Sequence, residues 1–174
     1  MWDKYGEMNS ADEINEKACE MREAGKTAEL KELAKENGLD EDMVDFFLEG
    51  EMDIICDDLG AAVGKLQVEI AHYQKQYVAN AKETVEALQS MMSRERVKMS
   101  VHKAGVDIDI DITGDELAKA IRQRGKSLND ICKDVFTKAQ TIHNSGEPAS
   151  AMVVPMIIHQ YLQPIKEKKE DKKK

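Results

Sequence analysis

Apolar residues recur at every second position in only one stretch of the chain, Arg96 to Thr113. Two alternating runs, residues 97–102 and 106–112, flank the sequence Lys-Ala-Gly. This alternation is typical of an antiparallel hairpin with one buried face. Pairing position 97 with 112, 99 with 110 and 101 with 108 keeps the apolar side chains together, whereas a slip of one residue would bury aspartates. We therefore predict a hairpin at about 96–113, with a turn of either Ala-Gly or the four residues Lys103 to Val106.

The polar face of the predicted hairpin carries three aspartates, Asp107, Asp109 and Asp111. In this register they lie opposite polar residues of the first strand, including His102 and Lys98, so that opposite charges face each other. Their spacing of about 6.6 to 6.8 Å along one face would also match phosphates along a nucleic-acid strand. Neutralisation by the opposite strand is the stronger interpretation, and the aspartates are secondary candidates for binding a partner.

The sequence pattern of residues 1–50 predicts an acidic N-terminal region of three short helices, which we call the head. Apolar residues recur there with helical spacing, between polar capping residues and glycines that end helices in the left-handed conformation. The expected helix starts are Ser10, Thr27 and Asp40, and the expected ends are Gly25, Gly38 and Gly50. The connections are so short that the helices must pack antiparallel.

Residues 51–95 predict a long helix or a pair of stacked helices. The range contains no proline, and its apolar residues recur at spacings of four and three from Leu59 to Tyr77 before the pattern shifts by one residue. Such a heptad-like seam provides two packing faces. Gly60 and Gly64 indicate either close helix contacts or a break near residue 60. Because a helix this long rarely buries its whole stripe in a small domain, we expect a homodimer.

Residues 96–163 combine the hairpin with C-terminal helices. A capping pattern that begins at Thr113 opens a short helix running to Arg124, and Ser127 opens a long amphipathic helix. Pro148 suits the first turn of a final helix, which Pro155 should kink or split. The lysine-rich stretch 164–174 has no apolar periodicity, so we expect a disordered basic tail. The predicted fold class is therefore mainly α with one β-hairpin (α+β).

The net charge of −9 is concentrated in the head, because residues 1–60 contain 19 Asp and Glu against 6 Lys and Arg. Such an acidic face repels nucleic acid and attracts basic partners, including the positively charged channels of nucleic-acid enzymes. A solvated surface without a partner is the alternative. The candidate partner-binding acids are Glu41, Asp42, Asp45, Glu49, Glu51, Asp53, Asp57 and Asp58.

The three cysteines, Cys19, Cys56 and Cys132, are odd in number and lack metal-ligand spacing. This is typical of reduced thiols in a cytosolic protein. No apolar run approaches the roughly 18 residues of a membrane span, and the N-terminal sequence MWDKYGEMNS lacks a signal-peptide core. We therefore expect a soluble, cytoplasmic protein.

Motifs for catalysis or cofactor binding fail at specific positions. Gly125-Lys126-Ser127 lacks the glycine that a phosphate-binding loop needs five residues earlier, where the chain has Ala120. A calcium-loop pattern that begins at Asp109 fails at the same alanine, where a bidentate glutamate is required. The histidines are isolated from one another and from acids or cysteines at metal-ligand spacing, so we expect no cofactor, no metal and no enzymatic activity. They are His72, His102, His143 and His159.

A set of basic residues offers a different kind of surface, which could contact phosphate groups. No aromatic residues are interleaved with it, which argues against stacking on single-stranded nucleic acid. Salt bridges to the acidic head explain these residues equally well. The set comprises Arg94, Arg96, Lys98, Lys103, Arg122, Arg124 and Lys126.

Two segments resemble parts of small proteins carried by phages and conjugative elements of gut Firmicutes. They are NSADEINEKACEMREAGKTAELKELAKENGLDEDMVDFFLEGEMD, residues 9 to 53, and RQRGKSLNDICKDVFTKAQ, residues 122 to 140. Some of these mobile-element proteins are anti-CRISPR proteins, which inhibit the RNA-guided DNA nuclease of type II CRISPR systems. The resemblance covers under half of the chain and transfers no functional residue.

Together with the acidic head, this resemblance implies a non-enzymatic inhibitor that is phage- or plasmid-encoded and acts in the bacterial cytoplasm. Its expected partner is the guide-RNA-loaded type II nuclease, whose basic channel the acidic residues would occupy, so that DNA binding or cleavage fails. One alternative is a DNA-binding accessory protein of a mobile genetic element, which would use the basic cluster near Arg94 to Lys98 and the lysine-rich stretch 164–174. Another is a dimeric structural or interaction protein.

Overall fold

The computed structural model describes residues 2–72 and 81–164 and shows a mainly helical α+β fold with one antiparallel hairpin, as predicted. The elements in chain order are α1 (Ala11–Glu23), α2 (Thr27–Glu36), α3 (Glu41–Leu48), α4 (Asp58–His72), α5 (Ala81–Met92), β1 (Val97–Lys103), β2 (Val106–Ile112), α6 (Gly114–Arg122), α7 (Leu128–Asn144) and α8 (Val153–Leu162). None of the helices in the described ranges is long and apolar enough to cross a membrane. A disordered tail was predicted at 164–174, and its residues from 165 onward lie outside the described residues. The part of the helical seam at Tyr73 and Tyr77 also lies outside them.

The hairpin has the predicted register, with Val97 opposite Ile112 and Val101 opposite Ile108. Its connection is the shorter of the two predicted turns, because the pair Lys103 and Val106 leaves only two residues between the strands. These residues, Ala104 and Gly105, have φ angles of 53° and 78°. Positive φ at both positions is the geometry that matches the twist of a two-residue hairpin. The apolar face of the hairpin packs into the core of the body formed by α4 to α8.

The head has its own apolar core, built by α1, α2 and α3, with Ile14, Leu30 and Phe47 fully buried. Ser10 and Asp40 cap their helices as predicted, with the Ser10 hydroxyl accepting from the Glu13 amide. The prediction for α2 is wrong in detail: its N-cap is Lys26, and no side chain caps it. The head core also continues past residue 50, since Ile55, Cys56 and Ala61 belong to it.

In the region predicted as a long helix or a stacked pair, the described residues form the helices α4 and α5, which pack against each other. Gly64 of α4 is a point of close contact, because a Cβ atom there would lie 2.3 Å from the Asn37 carbonyl oxygen at the end of α2. The carbonyl belongs to the backbone, so it cannot move aside as a flexible side chain would. This contact joins the head to the body.

The final helix begins later than predicted. Pro148 precedes a short 3-10 turn, Ser150–Met152, and α8 starts only at Val153. Pro155 therefore lies in the first turn of α8, where the backbone N–H groups have no partner within the helix. The expectation that Pro155 kinks or splits this helix is wrong, because the proline removes no hydrogen bond there.

Candidate functional site

Seven of the eight predicted partner-binding acids are exposed on the head, along α3 and its connection to α4. The eighth, Asp58, is half-buried at the start of α4. Arg22 fixes the end of α3, because its guanidinium donates hydrogen bonds to the carbonyl oxygens of Phe47 at 3.0 Å and Met52 at 3.3 Å. We call the eight residues, Glu41, Asp42, Asp45, Glu49, Glu51, Asp53, Asp57 and Asp58, the acidic strip.

The charge of the acidic strip is compensated at one end only. Asp58 lies 3.8 Å from the ammonium group of Lys119, and this is the one ion pair of the strip among the residues that the structure describes. Asp57 has a structural role, since its Oδ1 accepts a hydrogen bond of 2.7 Å from the Gly60 amide at the start of α4. The other carboxylates are available to a partner.

An apolar groove of about 470 Å³ lies beside the acidic strip, between Leu39, the segment 52–57 and α4. Met43, Met52, Ile54 and Val63 contribute its apolar lining. We call it the head groove. No sequence pattern predicted this groove, although Met52 and Ile54 are apolar residues outside any helical repeat and so were a signal for it.

A second groove, of about 610 Å³, lies on the other side of Leu39 between the head and α4. Its lining carries both signs of charge, with Lys31 and Lys35 as well as Glu41 and Asp45. The mixed lining gives no clear preference for the charge of a ligand, in contrast to the head groove.

The aspartates of the hairpin are neutralised within the hairpin. Ser100 donates a hydrogen bond of 2.8 Å to Asp109, and Arg96 donates one of 2.6 Å to Asp111. The pKa of Asp109 is lowered by hydrogen bonds from Ser100, which has the larger effect, and from His102. The hydrogen bond from Arg96 lowers the pKa of Asp111. These contacts support the structural interpretation of the aspartates over phosphate mimicry.

His102 is not isolated from acids, so that expectation was wrong. The hairpin register places its ring between Asp107 and Asp109, and the three ligand atoms lie within 4.8 Å of one another. Each ring nitrogen contacts a carboxylate. The pKa of His102 is raised by these hydrogen bonds, more by the one to Asp109 than by the one to Asp107. These contacts favour the imidazolium form, which has no lone pair for a metal ion.

The predicted basic set does not form one surface. The prediction of Arg122 and Lys126 as candidate phosphate contacts is wrong, because their exposed fractions are 1% and 8%. Arg124 donates hydrogen bonds to the Glu7 carbonyl oxygen at 2.8 Å and to the Glu13 carboxylate at 3.1 Å. Arg96 is paired within the hairpin. Arg94, Lys98 and Lys103 are exposed.

The buried basic residues belong to a charge junction between the head and the body, which we define as Glu7, Lys65, Glu69, Arg122 and Lys126. The Lys65 ammonium group lies 2.7 Å from the Glu7 carboxylate and donates a hydrogen bond of 2.6 Å to the Gln123 carbonyl oxygen. Lys126 donates to the carbonyl oxygens of Gln160 and Gln163 at the end of α8.

Arg122 is the residue of the junction that reaches furthest into the head. It donates hydrogen bonds to the carbonyl oxygens of Met8 at 3.0 Å and Ala61 at 3.2 Å, and to the side chain of Asn37. No pattern in the sequence predicts these contacts. Arg122 stands in the last turn of α6, where an exposed arginine that stabilises the helix dipole is the ordinary expectation.

Burial is the main cause of the pKa shifts of the ionisable side chains in the junction. Glu69 is 2% exposed and accepts a hydrogen bond from the Leu128 amide at 3.2 Å. Burial raises the pKa of Glu69 to about 7, while the nearby Lys65 charge opposes this shift. Burial likewise lowers the pKa of Lys65 and of Arg122. Within the described residues, Lys65, Arg122 and Lys126 make their hydrogen bonds and ion pairs with groups of the chain itself, so we interpret the junction as a structural joint.

The three cysteines are free thiols in the structure. Burial raises the pKa of Cys56 to about 12 and that of Cys132 to about 11. Both thiols therefore stay protonated near neutral pH, which is unfavourable for nucleophilic chemistry.

Comparison with known proteins adds no family to this geometry: no protein-family model matches the chain, and neither does any curated protein or solved structure. A function for the chain must therefore be argued from its surfaces.

Proposed function

We propose that the protein is an inhibitor that acts by binding, and that its acidic strip occupies part of the positively charged nucleic-acid channel of a guide-loaded type II CRISPR nuclease. Such a nuclease holds its RNA–DNA heteroduplex and the displaced strand through basic surfaces. Carboxylates presented in a row compete for these surfaces with phosphates. DNA binding or cleavage then fails without any chemical step by the inhibitor.

The observation that carries this proposal is the exposed, largely uncompensated charge of the acidic strip. Within the described residues, only Asp58 of the strip has an ion pair, whereas the charges of the junction and the hairpin are used internally. The resemblance of residues 9 to 53 to proteins of mobile elements supports the choice of nuclease as partner.

The alternative of a DNA-binding accessory protein keeps Arg94, Lys98 and Lys103 as exposed basic residues, but it loses other members of the predicted set. Arg122 and Lys126 are buried, and Arg96 and Arg124 pair with acids of the chain itself. Exposed arginines and lysines would be required to contact phosphates. The expected homodimer stays a prediction, which the mass of the protein in solution at micromolar concentration tests.

A cleavage assay with purified, guide-loaded nuclease tests the proposed function. We expect the chain to inhibit cleavage of target DNA, and the triple substitution Glu41→Gln, Asp45→Asn, Glu49→Gln to weaken inhibition by about tenfold or more. The matched control is Glu16→Gln, Glu20→Gln, Glu23→Gln, which removes the same charge from exposed positions of α1. Unaffected cleavage at excess inhibitor, or equal loss in both triple variants, contradicts the proposal. Salt-sensitive DNA binding by the chain alone would support the accessory protein instead.

A further inference from the structure

The largest exposed apolar side chains of the described residues, Phe46 and Ile54, both lie on the head. Ile54 lines the head groove and is 41% exposed, whereas Phe46 is 43% exposed and lies outside the groove lining. An exposed large apolar side chain within a concave site, such as that of Ile54, is typical of an interaction surface. Two methionines, Met43 and Met52, also line the groove, and their flexible, polarisable side chains adapt to different apolar partners.

The rim of the head groove is acidic. Asp40 and Asp57 line it directly, and no lysine or arginine contributes to its described lining. Glu41 and Asp53 are sequence neighbours of lining residues and belong to the acidic strip. An apolar floor with an acidic rim is complementary to a segment that carries apolar residues on one side and Lys or Arg on the others.

The walls of the groove are held in place by polar contacts from α1. The amide group of Asn15 donates a hydrogen bond of 2.8 Å to the Cys56 carbonyl oxygen, and its Oδ1 accepts one of 2.8 Å from the Ile55 amide. Arg22 holds the Met52 carbonyl oxygen at 3.3 Å. The groove is therefore formed before a partner arrives, which reduces the entropy lost on binding.

The conformation of the partner follows from the elements that form the groove. Its lining comes from α3, from α4 and from the connections 38–40 and 52–57, and no strand edge of the described chain borders it. An extended peptide would find no ladder for its backbone groups, whereas a helix satisfies its own N–H and C=O groups. A second copy of the head is disfavoured, because two acidic rims would face each other.

We propose that the head groove binds a basic amphipathic helix of the partner protein, with apolar side chains against Met43, Met52 and Ile54 and basic side chains against the acidic rim. The inference rests on the proposed function, because it names the element of the partner that this side of the head binds. It adds apolar contacts to what would otherwise be purely electrostatic competition.

The first test measures binding of a peptide to the full chain by fluorescence anisotropy. The probe is a helical peptide of about 18 residues with leucines on one face and lysines elsewhere. We expect Ile54→Ser to weaken its binding by about tenfold. The matched control Phe46→Ser, which removes an equally exposed apolar side chain outside the groove lining, should change binding by less than about twofold. A scrambled peptide of the same composition, whose leucines do not share one face, should bind far more weakly.

The second test removes charge from the rim without removing the helix caps. Asp40 caps α3 and Asp57 caps α4, and asparagine caps helices as well as aspartate does. Asp40→Asn with Asp57→Asn should weaken peptide binding by about tenfold and reduce its dependence on salt. Glu16→Gln with Glu20→Gln is the control of equal charge and should have little effect.

Several results would overturn the groove proposal. Equal binding of the ordered and scrambled peptides, or equal effects of Ile54→Ser and Phe46→Ser, would mean that charge alone attracts the peptide. A dimer in solution that Ile54→Ser dissociates would mean that a second copy occupies the groove. Nuclease inhibition that survives Ile54→Ser but is lost in the triple strip variant would overturn the groove proposal and leave the proposed function intact. Peptide binding in the groove with no inhibition of the nuclease would overturn the proposed function alone.

Discussion

The acidic strip and the charge junction are built from the same kinds of side chains and differ in what surrounds them. Carboxylates of the strip lie in water on α3 and its connection, whereas Glu69 and Lys65 of the junction are almost completely buried. A charge in water loses little hydration on folding, but a buried charge must regain its lost hydration from partners. The comparison shows that the number of charged residues does not by itself identify a binding surface. What identifies it is how few of those charges have partners within the chain.

Substitution of Arg122 should have the largest effect and tests whether the buried charge junction stabilises the fold. Replacing it by methionine keeps most of the apolar side chain but leaves the acceptors at Met8, Ala61 and Asn37 without their donor. We expect the free energy of unfolding to fall by about 3 to 5 kcal/mol. Urea denaturation followed by circular dichroism measures this loss, and Arg96→Met on the exposed hairpin is the control, with little change expected. A small loss for Arg122→Met would mean that the junction does not join head and body.

Glu69 gives a second, smaller effect that depends on pH. Its pKa in the folded protein, about 7, lies above the ordinary value of 4.5, so the folded state holds a proton that the unfolded state has already released. This stabilisation is fully present below pH 4.5 and is lost as pH rises through 7. Glu69→Gln keeps an acceptor for the Leu128 amide. Its free energy of unfolding should therefore nearly equal that of the wild type at pH 4.5 and exceed it by roughly 3 kcal/mol at pH 8.

Unfolding free energies of the wild type and Glu69→Gln at both pH values check this prediction. Glu16→Gln on the surface of α1 serves as the control. If the difference between Glu69→Gln and the wild type is the same at the two pH values, the assignment of a raised pKa to Glu69 is wrong.

The smallest effect on stability is expected at the acidic strip. The triple variant Glu41→Gln, Asp45→Asn, Glu49→Gln should change the free energy of unfolding by less than about 0.5 kcal/mol per site. Removing like charges from one surface also relieves repulsion, so the change should be slightly stabilising, most of all at low salt. Thermal denaturation at two salt concentrations measures it. A large loss of stability would show that carboxylates of the strip have partners within the chain, and the strip would then not differ from the junction in this respect.

Sequence patterns predicted those features of the fold that depend on residues close together in the chain, such as the hairpin register and the helix ends. The alternation from Val97 to Ile112 gave the register of the hairpin, because only one pairing keeps aspartates off the core. Gly25, Gly38 and Gly50 ended the helices of the head as expected, each with a positive φ. The acidic strip was also accessible to sequence reasoning, since charges on a short capped helix and its connection are normally exposed.

Contacts between distant parts of the chain were not accessible in this way. Lys65 and Arg122 look like ordinary helix-surface residues, and only the packing of α4 against α6 and the head buries them. Pro155 was misjudged because the start of α8 depends on the preceding 3-10 turn rather than on a capping residue. The head groove arises where the segment 52–57 crosses α4, which no periodicity describes.

The contacts of Arg122 have a consequence for the order in which the protein is completed during synthesis. Arg122 lies 114 positions after Met8, whose carbonyl oxygen it holds. At the usual rate of translation, roughly 5 to 20 residues per second, the N-terminal segment waits on the order of ten seconds before this donor is made. The head therefore leaves the ribosome well before its contact with Arg122 can form, and a head produced alone would lack the cation that holds the Met8 carbonyl oxygen.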